Sequence, residues 1–161
     1  TVKDAAAKKE ISIISSGLED RFPFQGDTMR LQQVFWNILS NSVKFTQTGG
    51  SIYVKVTQNI SSYVIRLSDN GPGIEQSFIP FLFDKFAQHE SKIGKPSSGL
   101  GIGLSLVKTI IELHKGSIEV ESPGLGQGTT FEITFPRENL VTNSEDYAQE
   151  KYAFTESSHR H

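Results

Sequence analysis

The chain has 161 residues, a formal net charge of −2 and an apolar share of 36%, which suits one domain with a real core and gives no electrostatic footprint for nucleic acid. The absence of cysteine excludes a disulfide framework, a zinc–thiolate site and a thiol nucleophile. No apolar run approaches the length of a membrane span and no signal-peptide layout stands at Thr1, so the sequence reads as a piece of something longer.

Residues 2–9 favour helix but are too few to hold one alone, and read as the end of a longer helix. β-Branched residues follow at 10–15, with Ile11 and Ile13 on one face of an expected strand. Residues 17–26 form a connection in which Phe22, Pro23 and Phe24 are expected to make a short extended edge. Asp27 stands where an N-cap is wanted, for a helix running to about Thr46. At roughly 100° per residue, Leu31, Val34, Phe35 and Ile38 share one side, and Trp36, Leu39 and Val43 occupy much of the rest. The remaining sector holds Arg30, Gln33, Asn37, Ser40, Asn41 and Lys44, with Phe45 at its border. A solvated stripe is one account of that sector. Such stripes favour Glu, Lys and Gln, however, whereas asparagine competes for the backbone. Asn37 and Asn41 at i and i+4, followed by Lys44, make a row of amides and an amine on one face.

A turn at 48–50 leads to alternating residues at 52–57 and 63–68, an antiparallel hairpin that ends at Asp69. A carboxylate at a strand end, with Gly71 and Gly73 two and four residues later, permits close approach of something flat to the backbone; an ordinary surface turn is the alternative. Residues 75–98 are irregular, carrying Phe78, Phe81, Phe83 and Phe86 and then a polar stretch from His89. They are expected to form a lid anchored by Phe83 and Phe86. Gly99, Gly101 and Gly103 then run straight into a helical pattern through Leu104, Val107, Ile110 and Ile111. Backbone N–H groups can converge on a phosphate there, or the glycines can simply be a flexible loop before an amphipathic helix. Strands at 117–122 and 129–135 close the core, and from Arg137 the hydrophobic periodicity fades.

Five blocks now stand in order: NILSNSVKF at 37–45, DNGPGI at 69–74, FDKF at 83–86, GLGIGL at 99–104 and GTTF at 128–131. Together they resemble the ATP-binding catalytic domain of two-component histidine kinases, a branch of the superfamily shared with type II topoisomerases, heat-shock chaperones and mismatch-repair ATPases. The resemblance implies a two-layer α/β sandwich of the Bergerat type, a mixed, mostly antiparallel sheet packed on helices, with an ATP lid. It places this domain at 1–136 and leaves a polar tail or linker at 137–161.

The resemblance also implies roles. Asn41 would give its side-chain oxygen to Mg²⁺, which keeps phosphate oxygens and waters as its other ligands. Asn37 and Lys44 would face the phosphates and serve catalysis. Asp69 would accept from the adenine amine, with Gly71, Gly73 and Ile74 letting the ring lie against the backbone. Phe45 would pack near the base, and Phe83 would approach the nucleotide from the foot of the lid. Gly99, Gly101, Ile102, Gly103 and Leu104 would cradle phosphate, Lys92 and Lys95 would reach the γ-phosphate, and Thr129 would support the adenine through water. Hydrolytic members of the superfamily carry a glutamate as base where this chain has Asn37, and an amide cannot take the proton. Transfer to a histidine on a separate dimerisation domain is therefore expected, with a response-regulator receiver downstream and a cytoplasmic location. An ATP-hydrolysing switch or a nucleotide-binding module without catalysis are the alternatives. None of His89, His114, His159 and His161 reads as the phosphoacceptor, and neither nucleic acid nor direct membrane contact is expected of this segment.

Overall fold

The computed structural model describes residues 1–85 and 103–137. Phe86, Lys92, Lys95, Gly99, Gly101 and Ile102 lie outside the described residues, as does the expected tail from residue 138 onward.

Two short helix ends set the entry into the sheet. α1, Val2–Lys8, carries Thr1 as N-cap in a capping box with Asp4. It stops where Glu10 turns left-handed at φ 55°, which lets the Ile11 N–H reach the Ala6 carbonyl at 2.9 Å and the Glu10 N–H reach Ala7 at 3.0 Å. This is the helix-ending pattern in which the residues flanking the stop also pack together, and Ala6 and Ile11 are both buried. Ile11 is thereby spent on the cap, so β1 begins later than expected, at Ser12–Ser16. Ile13 shares the helix-covered side by register with Ile52, yet it is 37% exposed because β1 is the sheet's edge.

α2, Thr28–Phe45, starts at Asp27, whose carboxylate accepts from the Arg30 N–H at 3.1 Å. β2, Ser51–Gln58, and β3, Ser62–Asp69, form the expected hairpin. After a single 3₁₀ turn at Ile79–Phe81 come α3, Gly103–Leu113, then β4, Ser117–Glu121, and β5, Thr129–Pro136. The strand order is β1-β2-β3-β5-β4, with β1 parallel to β2 and every other pair antiparallel.

Both long helices cover one face. Val34 and Ile38 of α2, and Val107, Ile110 and Ile111 of α3, bury against Leu67, Phe131, Ile133 and Phe135. β5 alternates strictly, its odd-numbered residues from Thr129 to Phe135 buried, as a half-covered strand should. The opposite face is polar: Lys55, Arg66, Glu121 and Glu132 lie there, with Arg66 3.4 Å from Glu132 and 3.9 Å from Glu121. These exposed pairs add little to stability. The result is a two-layer α/β sandwich.

Two further expectations change. Residues 22–24 form no strand; Phe24 packs at a tilt against Phe135 with ring centroids 4.9 Å apart, Phe22 meets the Tyr63 ring edge-on, and the Tyr63 hydroxyl donates to the Pro23 carbonyl at 2.9 Å. A proline with no N–H between two large rings gains more by plugging the end of the core than by pairing. Trp36 is 52% exposed, so the apolar arc of α2 is narrower than its sequence suggests.

His114, one residue beyond α3, ties the helices together at this end. Its Nε2 accepts from the Asp27 N–H at 3.0 Å, so the ring hydrogen sits on Nδ1, which donates to the Ile110 carbonyl at 2.8 Å. Ile38 is fully buried where α2 meets α3 and the sheet. Ile38→Ala is expected to cost about 2 to 5 kcal/mol in urea unfolding. A loss well under 1 kcal/mol would mean that this layer is not the core.

Candidate functional site

β3 ends on a half-buried carboxylate. Asp69 faces Thr129 across the β3–β5 ladder and lies beside Ile52 of β2. Its carboxylate accepts from the Gly71 N–H at 2.9 Å. Burial pushes the Asp69 carboxyl above its ordinary value, and hydrogen bonding from Gly71, Ser42 of α2 and Thr129 pulls the other way. An ionised carboxylate offers about four lone-pair sites, so acceptor capacity remains for a ligand.

The floor beside it is backbone and hydroxyl. A side chain on Gly71 would begin 2.9 Å from Asp69 Oδ1 and 3.2 Å from Thr46 Oγ1, so only glycine leaves this surface open. Thr46 is fully buried, and its Oγ1 has no hydrogen-bond partner among the described residues. An orphaned buried hydroxyl beside a carboxylate with a spare lone pair is what a heteroaromatic ring with amine and ring-nitrogen edges would satisfy.

The strand-end turn is latched from the other side. Gly73 at φ 71° lies so close to the Gly124 carbonyl that a Cβ would fall 2.1 Å from that oxygen. The Ile74 N–H donates to Ser122 Oγ at 2.8 Å, and Ser122 Oγ donates onward to the Gly128 carbonyl at 2.8 Å. Gln76 Nε2 donates to the Ser122 carbonyl, and the Gly126 N–H to Pro72 at 2.6 Å. Residues 71–76 are thus held against the β4–β5 turn.

The amide row lies on the α2 side facing α3. Asn37 Nδ2 donates to the Gly103 carbonyl at 3.4 Å, bringing the first asparagine to the start of α3. Asn41, one turn further, is half-buried, and Leu104 is half-buried in the first turn of α3. Lys44 is exposed with its ammonium 5.1 Å above the ring of Phe45, itself 52% exposed. Lys9 caps this end of α2, its Nζ reaching the carbonyls of Val43 at 2.7 Å and Lys44 at 3.0 Å. Phe83 lies edge-on to Phe131 with Lys108 Nζ 5.9 Å above its ring, so it anchors the described part of residues 75–98 onto α3 and β5. Among the sequence-derived candidates, the structure gathers Asp69, Gly71, Gly73, Ile74 and Thr129 at one end and Asn37, Asn41, Gly103 and Leu104 at the other.

Ser42, Thr46 and Ser122 take part without having been singled out individually. The first two carried a signal, a pair of hydroxyls at i and i+4 beside the amide row. Among the described residues no group of three or more His, Cys, Asp or Glu side chains could hold a metal ion. A metal here would need ligand oxygens from a bound phosphate chain, which suits Mg²⁺ held by a single protein amide such as Asn41.

The chain matches the family of histidine kinase-, DNA gyrase B-, and HSP90-like ATPases over residues 26–139, and it belongs to that family. Its relatives include the circadian input-output histidine kinase CikA of Synechococcus elongatus, 40% identical over 118 residues, covering 73% of this chain and 16% of the relative. Hybrid signal transduction histidine kinase D of Dictyostelium discoideum is 38% identical over 135 residues, covering 69% of this chain and 9% of that one. The chain therefore spans a sixth or less of the length of these two. Among solved structures, a mycobacterial sensor histidine kinase, MprB, superposes with a TM-score of 0.71 at 25% identity, covering 84% of this chain and 90% of the other. Full-length ShkA in complex with AMPPNP gives 0.70 at 26% identity, covering 83% of this chain and 27% of that protein. The fold is that of histidine kinase catalytic domains.

Gly128, at φ 74°, passes Asp69 so closely that a Cβ would lie 2.1 Å from the Asp69 carbonyl oxygen. Gly126 has almost the same φ, 79°, but open space around it. Both alanine variants incur backbone strain of about 1 to 3 kcal/mol, and Gly128→Ala adds a clash with backbone that cannot yield. Gly128→Ala is expected to lower the melting temperature clearly more than Gly126→Ala. Equal losses would show that the contact with Asp69 does not constrain the turn.

Proposed function

We propose that this chain is the Mg-ATP-binding catalytic domain of a sensor histidine kinase, donating the γ-phosphoryl group to a histidine on a separate dimerisation domain in two-component signalling. The observation that carries this reading is the pairing of Asn37, an amide, with Gly103 at the start of α3, at the opposite end of the site from the Asp69 acceptor. The two ends fit the two ends of a nucleotide, and the phosphate end offers at position 37 a group that orients but cannot deprotonate water. AMPPNP in the complex of ShkA supports the same occupant here.

On this reading Asp69 accepts from the exocyclic amine of adenine, Gly71 leaves room for the ring, and Thr46 and Thr129 lie where a bridging water meets its edge. Gly103 and Leu104 offer backbone N–H groups and the positive end of α3 to the phosphates. Asn41 would hold Mg²⁺, which when bound neutralises charge on the phosphate oxygens. Asn37 and Lys44 face the same phosphates, and Gly99, Gly101, Ile102, Lys92 and Lys95, outside the described residues, are proposed to complete the cover. In the transfer an imidazole nitrogen of the partner domain forms the bond to the γ-phosphorus as the bond to the bridging oxygen breaks. ADP leaves with that electron pair. Positioning supplies most of the rate. A response-regulator receiver would take the phosphoryl group next. No helix among the described residues is long and apolar enough to cross a membrane; we propose a cytoplasmic place for this domain, in a protein that is itself free or anchored.

Radiolabelled ATP tests this. The chain alone should label itself little and turn over ATP slowly, and adding the cognate histidine hairpin should give acid-labile, base-stable label on the hairpin. Asn41→Ala should lower Mg-dependent ATP affinity at least about tenfold, since even groups that only support metal ligands are worth that much. Brisk acid-stable labelling of the chain alone would overturn the proposal.

A further inference from the structure

We propose that Ser122 is a positioning residue for base recognition: its hydroxyl joins the turn after β3 to the end of the β4–β5 turn and holds the two segments that border Asp69 at a fixed separation. The inference rests on the reading of Asp69 as the base acceptor and adds the side chain that sets the width of the site beside it.

Ser122 directly follows β4 and is 4% exposed. Its Oγ accepts from the Ile74 N–H at 2.8 Å and directs its one hydrogen to the Gly128 carbonyl, also at 2.8 Å, with the Gly124 carbonyl further off at 3.5 Å. Its own carbonyl accepts from Gln76 Nε2, so this one residue holds the strand-end turn at two points. What lies beyond each bond gives the hydroxyl its reach. Three residues before Ile74 stands Gly71, whose N–H donates to Asp69 Oδ1 at 2.9 Å. Gly128 runs against the Asp69 carbonyl, and the next residue, Thr129, pairs with Asp69 across the ladder. The hydroxyl therefore closes a ring that leads from Asp69 through the strand-end turn, across Ser122, to the start of β5 and back to Asp69.

Packing alone does not require the oxygen. Ser122 is enclosed by Gly73, Ile74 and Gly128, a space that suits any small side chain, alanine included. Alanine, however, leaves the Ile74 N–H and the buried Gly128 carbonyl without this partner, and the relief open to them is outward movement of the turn into water. That movement widens the floor under the base. The phosphate end, where Asn37 meets Gly103, shares no bond with Ser122 among the described residues, so the effect is confined to the base end.

The test compares calorimetric titrations of the full chain and of Ser122→Ala with Mg-ATP and with magnesium tripolyphosphate, which has the phosphates but no base, alongside amide exchange at Ile74. Ser122→Ala should lose about tenfold in ATP affinity, the scale of two ordinary hydrogen bonds, and change less than about twofold toward tripolyphosphate. The Ile74 amide, protected in the wild type, should exchange faster in the variant. On the wild type itself, Mg-ATP should slow exchange at Ile74 and tripolyphosphate should not, a measurement that does not depend on how well the variant folds. A variant that keeps the wild-type preference for ATP, whether by losing nothing or by losing both ligands equally, marks a structural latch and overturns the role of Ser122 while leaving Asp69 in place. Wild-type exchange at Ile74 that ignores Mg-ATP does the same. Equal wild-type affinity for ATP and tripolyphosphate overturns the base-end reading of Asp69 as well.

Discussion

A carboxylate half-buried at the end of a strand must be given donors, and much of the described structure around the site follows from how Asp69 obtains them. Desolvation without partners is unfavourable for a charge. The Thr129 N–H is in reach because β5 runs antiparallel beside β3 with Thr129 opposite Asp69. The Gly71 N–H is in reach because the chain turns at once, and Gly128 can pass close to the Asp69 carbonyl only without a side chain. Ser42 of α2 also favours the charged carboxylate. Sheet register, turn chemistry and helix placement thus meet at one side chain, which still keeps an acceptor site free.

The helices are organised by the complementary need, to bring an amide row and a helix start together. Apolar packing of Ile38 and Val107 sets the spacing of α2 and α3, and polar contacts fix their relation at two points. At one, Asn37 reaches the Gly103 carbonyl; at the other, His114 accepts from the Asp27 N–H that would otherwise stand unpaired at the N-cap of α2. The same helix therefore carries a structural pin at its beginning, the amides of Asn37 and Asn41 at its middle and the hydroxyls of Ser42 and Thr46 near its finish. Changes at either terminus of α2 bear on the site between them.

Much of this was legible in the sequence because it rests on local rules. The Asp27 cap, the alternation of β2, β3 and β5, and the order of the five blocks each have a short-range signature, and the fold and family follow from them. What was not legible depends on partners distant in sequence. Phe22 and Phe24 look extended until Tyr63 and Phe135 are seen to receive them. Ile11 looks like strand until its N–H is needed to close α1. Trp36 reads as core by period alone, but α2 turns that side outward. Ser42, Thr46 and Ser122 are small polar residues whose role appears only when β3, the strand-end turn and the β4–β5 turn are brought beside them.

We propose that Asp69, held as an acceptor, selects the base. Adenine would present an amine to that acceptor, whereas guanine would present a carbonyl and leave two acceptors facing, a cost on the order of 1 to 3 kcal/mol. A competition titration of ATP against GTP with Mg²⁺ on this chain measures that difference directly. The account predicts at least about tenfold tighter binding of ATP, and equal affinities for the two nucleotides would contradict it.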